Sequence, residues 1–283
     1  MRAPVIDLVI DPQLHGPNRK VGNLINMTRR ARHPLLVLAD SDMRVPPDYL
    51  RRVVGPFADP RTGLVTCLYR GVPAGGPWSA LAAAGVNYHF LPNALVGHLV
   101  GATPGCFGST MALRRETLDH LGGFEAFAQH LADDYALGTA VRGLGLDLAL
   151  SPLLIDHVSN EPSAAAMWAH DLRWARTIRL LSPWGHAGTV VTHALPTALL
   201  AVALGTAGSR WLLLAAAAAR LALAASIDVM LNVRPRRWPL VLVRDPLSFA
   251  VFVTSFLGRS VVWRGRRYRV SGTGLMTEQQ GNS

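Results

Sequence analysis

Three groups of side chains carry types and spacings that suit chemistry. The first is Asp40-Ser41-Asp42, directly after the apolar run Leu35–Ala39. Alternating carboxylates in a turn suit a hard divalent cation, Mg2+ or Mn2+, shared with phosphate oxygens. The same pair also describes a solvated turn or a helix cap. The second is Asp133-Asp134-Tyr135, in a stretch with helical character, Phe127–Arg142. Adjacent carboxylates on a helix point about 100° apart, so one of them is expected to face a site, where it can serve as a general base. A surface acidic pair has the same signature. The third is His170-Asp171-Leu172-Arg173-Trp174, followed by Arg176 and Arg179. On a helix His170, Arg173 and Trp174 share a face and suit a phosphate beside a flat ligand surface. Arg176 and Arg179 face elsewhere and suit lipid headgroups, as would an interfacial basic helix anchored by a tryptophan.

The elements that must position these groups alternate strand and helix. Helical spacing covers Val21–Arg30, Pro46 and Pro47 open a helix that ends near Val54, and Ala80–Leu99 and Arg115–His120 also have helical character. Strands are expected at Val5–Ile10, Leu35–Ala39, Gly63–Tyr69 and Gly145–Leu150, with Leu35–Ala39 buried on both faces. The alternation predicts an α/β domain with parallel strands, and ligands in such sheets sit at the carboxyl ends of strands. That is where Asp40 and Asp42 fall.

Composition narrows the partners. Half of the 283 residues are apolar and only 16% are charged, which excludes a disordered chain. The 28 basic and 18 acidic residues leave +10, a charge that calls for an anionic partner. Two cysteines, Cys67 and Cys106, build no disulfide framework. From Thr189 on, alanine, leucine and valine dominate. Trp211–Leu231 meets the roughly 20 residues of a membrane span, with Arg220 inside it, which must face protein or snorkel. Thr189–Leu204 completes a hairpin when Trp184–Gly188 lies at the interface; two buried helices of a soluble domain are the alternative. Arg234, Arg236 and Arg237, and later Arg264, Arg266, Arg267 and Arg269, belong on the cytoplasmic side. Both clusters stay there only if Pro239–Leu257, interrupted by Arg244, Asp245 and Pro246, re-enters or lies in the interface. The expected organisation is a catalytic domain over 1–182, a membrane hairpin over 183–233, a basic membrane segment over 234–270 and a polar tail over 271–283. The arginines cluster beside apolar spans rather than among aromatic residues, which argues against nucleic acid.

The order Asp-x-Asp, carboxylate pair, Arg-Trp, membrane helices resembles the inverting, lipid-directed glycosyltransferases of the GT-A fold. The segments LVLADSDMRV, GLVTCLYR, GCFGSTMALRR, LADDYALG and HDLRWARTIR look like the ceramide glucosyltransferase branch and, within it, the bacterial hopanoid-associated enzymes. The resemblance implies a partial, Rossmann-like GT-A domain followed by a transmembrane or interfacial helical region. It implies Asp42 as metal ligand with Asp40 beside it, Asp134 as catalytic base with Asp133 at the donor, and Arg173 and Trp174 at the diphosphate and the acceptor mouth. His170 stands where the family pattern has Gln or Arg. Asn18, Lys20 and Asn23, in GPNRKVGNL, and Gly105 and Ser109 resemble segments bordering the nucleotide sugar. Implied partners are a UDP-sugar, N-acetylglucosamine as its sugar, and a lipid acceptor such as bacteriohopanetetrol, with ceramide the alternative. The implied location is the bacterial inner membrane, catalytic domain toward the cytoplasm. The resemblance also places the family's first aspartate and uracil-binding strands upstream of Met1, because Asp7 and Asp11 fall in a later segment; the chain is therefore expected to be N-terminally truncated. An inactive fragment or scaffold, a basic nucleic-acid binder and a two-carboxylate glycoside hydrolase are the readings from other classes.

Overall fold

The computed structural model describes residues 6–101, 106–263 and 265–279. The chain enters through α1 (Arg19–Thr28), β1 (Leu35–Ala39), β2 (Met43–Arg44) and α2 (Tyr49–Val54). It continues through β3 (Thr62–Pro73), α3 (Gly76–Gly85), a π turn at Val86–Phe90, α4 (Leu91–Leu99), β4 (Thr110–Arg114) and α5 (Arg115–His120). Then come α6 (Asp133–Gly143), β5 (Asp147–Ser159) and α7 (Ala164–Leu181).

Five strands form one sheet in the order β1-β4-β3-β5-β2. The sheet is mixed, which corrects the parallel expectation. Only β3 and β5 run parallel, while β1 with β4, β3 with β4, and β2 with β5 are antiparallel. The strand that changes the topology is β4, whose apolar segment Met111–Leu113 gave no strand expectation because it is short and runs straight into α5. Side chains alternate across the sheet. Leu64, Met111 and Leu113 pack under α1 and α6 with Val21, Ile25 and Val141. Val65, Cys67, Tyr69 and Ala112 pack on the other face with Val53 and Phe57. Period-two alternation of a buried strand feeds both cores at once. In β1 only Leu38 is buried, because this strand lies at the sheet's edge rather than inside it.

Other boundaries moved for identifiable reasons. Residues 6–10 form no strand and leave Ile6, Leu8 and Ile10 exposed; among the described residues they pair with no other strand, and apolar alternation without a ladder partner does not hold one. Val5 lies outside the described residues. The stretch expected as one helix from Phe127 divides into a 3-10 turn at Phe124–Phe127 and α6 starting at Asp133, because His130 bridges to Leu275 instead. The strand expected to end at Leu150 runs on to Ser159, past Pro152, with a register shift near Cys67 and Leu68.

Beyond α7 lie α8 (Pro183–Gly188), α9 (Ala194–Ala203), α10 (Ser209–Met230) and α11 (Val241–Ser255). Among the described residues α10 alone is long and apolar enough to cross a bilayer, with mean hydropathy 1.8. Pro183–Thr192 and Ala194–Ala203 meet at 68° and count as a second span only if the bent pair is one. Much of this layer faces outward: Trp211, Leu212, Leu214, Val229, Leu200 and Leu204 are exposed. Arg220 turns inward, as a charge in such a helix must, and is buried against Asp245. At 15 residues α11 is about 22 Å long, short of a bilayer's roughly 30 Å core. The last described segment, expected as part of a polar tail, carries a strand. β6 (Ser260–Trp263), β7 (Arg266–Val270) and β8 (Met276–Glu278) form a second antiparallel sheet whose Val261, Tyr268, Val270 and Met276 pack with Leu131.

Candidate functional site

Strand pairing assembles the site. Antiparallel pairing of β1 and β4 sets Ala39 opposite Thr110, so the residues after β1 meet the residues before β4. The Asp40 amide donates to the carbonyl of Ser109 at 3.3 Å. Pairing of β2 with β5 sets Met43 opposite His157, and the Val158 amide donates to the Asp42 carbonyl at 2.9 Å. Asn18, fully buried, caps α1 by accepting from the Lys20 and Val21 amides. Its side-chain amide donates to the His130 carbonyl at 2.8 Å and to Asp133 Oδ1 at 3.3 Å.

Lys20 therefore projects from the first turn of α1 into a ring of oxygens. Its Nζ lies 2.8 Å from Asp40, 3.7 Å from Asp133 and 3.2 Å from the Gly108 carbonyl. Burial pulls its pKa down, but the charges of Asp133 and Asp40 outweigh that and hold it above the ordinary lysine value. Asp133 and Asp134 occupy the first turn of α6, not its middle, where helix amides favour negative charge. Both engage the cluster, although only one was expected to. The Gly108 amide donates to Asp134 Oδ2 at 2.9 Å, and the Tyr135 amide donates to Oδ1 at 2.8 Å. Burial, followed by the charge of Asp133, pushes the Asp134 carboxyl up to about 6. That places its titration where a general base is most effective.

Asp42 sits at the open side, its side chain about half exposed, with Oδ2 3.4 Å from His157 Nε2. The His157 contact holds its pKa below the usual carboxylate range. Ser159 Oγ lies 3.3 Å from the other ring nitrogen of His157. Tyr69 meets the His157 ring at 5.6 Å. Burial pushes its phenol far up, and the charges of Asp134, Asp40 and Asp42 add to the effect. Its ring stacks on Phe90 at 4.8 Å, and Phe90 meets Phe107 edge-on at 5.7 Å.

Trp174, on α7, packs on this same aromatic core beside Tyr69, Phe90 and Phe107. His170 Nδ1 lies 2.6 Å from Glu161 Oε1, and its ring meets Trp174 edge-on at 4.9 Å. The imidazole thus fixes the indole rather than standing free. Arg173 is half-buried and its guanidinium makes no hydrogen bond among the described residues; burial lowers its pKa and the Glu161 charge partly restores it. Asn23 is exposed and makes no bond to the cluster, Ser109 is buried with its hydroxyl donating to the Cys67 carbonyl, and Gly105 lies outside the described residues. Arg176 and Arg179, expected at lipid headgroups, instead donate to the carbonyls of Ser260, Leu257 and Gly258 and tie α7 to the loop before β6.

Sequence reasoning missed His157, Tyr69 and Gly108. Gly108 sat inside a quoted motif, but its role depends on contact with Asp134, 26 positions away. A Cβ there would meet Asp134 Oδ2 at 3.0 Å, so a side chain at 108 would push the carboxylate back by a few tenths of an ångström. A metal fits this site in part. Among the described residues no three His, Cys, Asp or Glu side chains form a cage. Asp40 is committed to Lys20, while Asp42 offers an exposed carboxylate, which suits a hard cation that completes its shell with phosphate and water.

Fold and site together define an α/β protein with a carboxylate cluster at the sheet's edge and an apolar helical layer. The chain belongs to glycosyl transferase family 21, whose profile matches residues 2–276. Ceramide glucosyltransferase 1 of Caenorhabditis elegans is 28% identical over 137 residues, covering 48% of this chain. The match spans only 29% of that relative's length. A solved protein described as a mycobacterial protein is similar over 61% of this chain and 53% of its own, at 23% identity and a TM-score of 0.37.

Proposed function

We propose that this chain is a membrane-bound inverting glycosyltransferase that moves a sugar from a UDP-sugar to a lipid hydroxyl. One observation carries the reading: Asp134, raised to about 6, is held by two backbone amides, one of them from Gly108, whose carbonyl accepts from Lys20, and Asp40, paired with that same lysine, lies two residues before the open carboxylate of Asp42. The reaction is a single displacement. Asp134 takes the proton of the acceptor hydroxyl, that oxygen bonds to the anomeric carbon, and the bond from carbon to the diphosphate breaks with its electron pair on the diphosphate. The geometry of attack inverts the anomeric centre.

Lys20 brings positive charge to the donor side of the cleft. The Arg173 guanidinium, without a hydrogen-bond partner among the described residues, is free to take diphosphate oxygens in a forked contact. Trp174, braced by His170 and Glu161, walls the acceptor side. Asp42, with Asp40 next to it, would hold Mg2+ or Mn2+, which supplies neutralisation of the leaving diphosphate. The exposed apolar faces of α9 and α10 suit lipid, and the arginines at 234, 236 and 237 suit the cytoplasmic face of a bacterial inner membrane. N-acetylglucosamine as the sugar and bacteriohopanetetrol as the acceptor, in hopanoid biosynthesis, are the preferred pair. Glucosylation of ceramide is the second reading, favoured by the named relative.

The test is transfer by the purified chain in lipid nanodiscs, with UDP-N-acetylglucosamine or UDP-glucose offered against bacteriohopanetetrol or ceramide. Labelled hopanoid from the first donor is expected. Glucosylceramide alone would move the assignment to the second reading. Absence of both products, together with no binding of UDP, would overturn it.

A further inference from the structure

Two neighbouring residues of α11 make ion pairs in opposite directions. Arg244 reaches α7, with Nη1 2.8 Å from Asp171 Oδ2. Asp245 reaches α10 and receives both Nε and Nη2 of Arg220, at 2.5 and 2.8 Å. Arg220, Arg244 and Asp245 are all buried. Arg220 also donates to the Tyr88 carbonyl in the π turn, at 2.9 Å. Buried charges of this kind are costly unless paired, and the chain makes room for them. A Cβ on Gly85 of α3 would fall inside the guanidinium of Arg244, so this glycine is the floor on which Arg244 lies. Arg244 Nη1 touches Met167 Sδ at 3.6 Å as well, a second hold on α7.

Asp171 lies two residues before Arg173 and three before Trp174, on the same helix. We infer that Arg244 and Asp245 are positioning residues: their paired bridges tie α7, and with it Arg173 and Trp174, to the apolar helix α10. The placement of the diphosphate and acceptor groups is thereby set by the helices that face lipid. A helix held at two neighbouring positions, His170 by Glu161 and Asp171 by Arg244, has little freedom to rotate. Asp171 touches neither ligand in this scheme and acts only through the helix. The inference rests on the transferase reading for its kinetic consequence, but its structural consequence stands apart from any activity.

The experiment uses the full chain in nanodiscs and three variants: Arg244→Gln, Asp171→Asn, and the exchanged pair Asp171→Arg with Arg244→Asp. Amide exchange across 164–181 is followed beside steady-state transfer. Each single variant is expected to speed exchange in that segment about tenfold, leave exchange in β3 unchanged, and lower kcat about tenfold while KM for the nucleotide sugar moves less than threefold. The exchanged pair is expected to recover at least half of the lost protection and kcat. Protection of 164–181 unchanged in both single variants would overturn the inference. So would loss of protection spread evenly over β3 and α7, which marks general unfolding. A wild-type chain without transfer activity would count against the proposed function alone, because the exchange readout still decides this one.

Discussion

Charge is used in two opposite ways at the two ends of this molecule. Around Lys20 the acidic groups outnumber the cation, the side chains are partly open, and Asp133 Oδ2 lacks a hydrogen bond among the described residues. Between α10 and α11 the Arg220–Asp245 pair is closed, forked and buried. An open cluster retains capacity to bind and exchange protons; a closed pair holds two helices in register. The same residue types therefore do chemistry or architecture according to whether their valences are filled within the fold.

Substitutions can break or sharpen that contrast. The largest effect is expected at Asp134. Asp134→Asn should lower transfer about 10³-fold, measured by product formation at saturating donor. In the unaltered protein the rate should rise with pH through about 6 and then level, because the base acts ionised. Stability moves the other way. The folded carboxyl titrates above its unfolded value, so its ionised form costs stability that appears as pH rises through this window and persists above it. Asp134→Asn should thus raise Tm by a few degrees at pH 8, roughly 1 kcal/mol, and gain nothing near pH 3. A loss of stability at pH 8 would mean that the carboxylate is part of the scaffold, like the pair at α11.

At that other pole, Arg220→Leu leaves Asp245 buried and unpaired and should cost about 3–5 kcal/mol, read from denaturation in detergent. Adding Asp245→Leu should recover most of this. A smaller effect is expected at the open cluster's edge. Gly108→Ala presses on Asp134 Oδ2 and should slow transfer about 10–100-fold with an unchanged melting curve. Least of all, Asn23→Ala should change neither donor KM nor Tm beyond about 0.5 kcal/mol, since that side chain is exposed and bonds to nothing in the cluster.

Much of this arrangement was legible in the chain. Leu35–Ala39 and Arg115–His120 run as their patterns indicate, and Arg220 faces protein as its charge demands. Period and propensity are local, so a single element can be read from its own residues. The second carboxylate pair was harder. Asp133-Asp134 looked like the middle of a helix, and only the His130–Leu275 bridge, between residues 145 positions apart, moves the helix start to Asp133.

By itself the amino-acid order determined which residues carry charge, where the long apolar helix α10 runs, and that Asp40 and Asp42 follow a strand. Tertiary structure alone decided that the sheet is mixed, that His157 and Gly108 join the cluster, and that Arg244 and Asp245 pull on different helices. The reason is physical. Local preference acts over one turn or one strand, whereas a register, an ion pair or a glycine-sized gap exists only after distant segments have packed together.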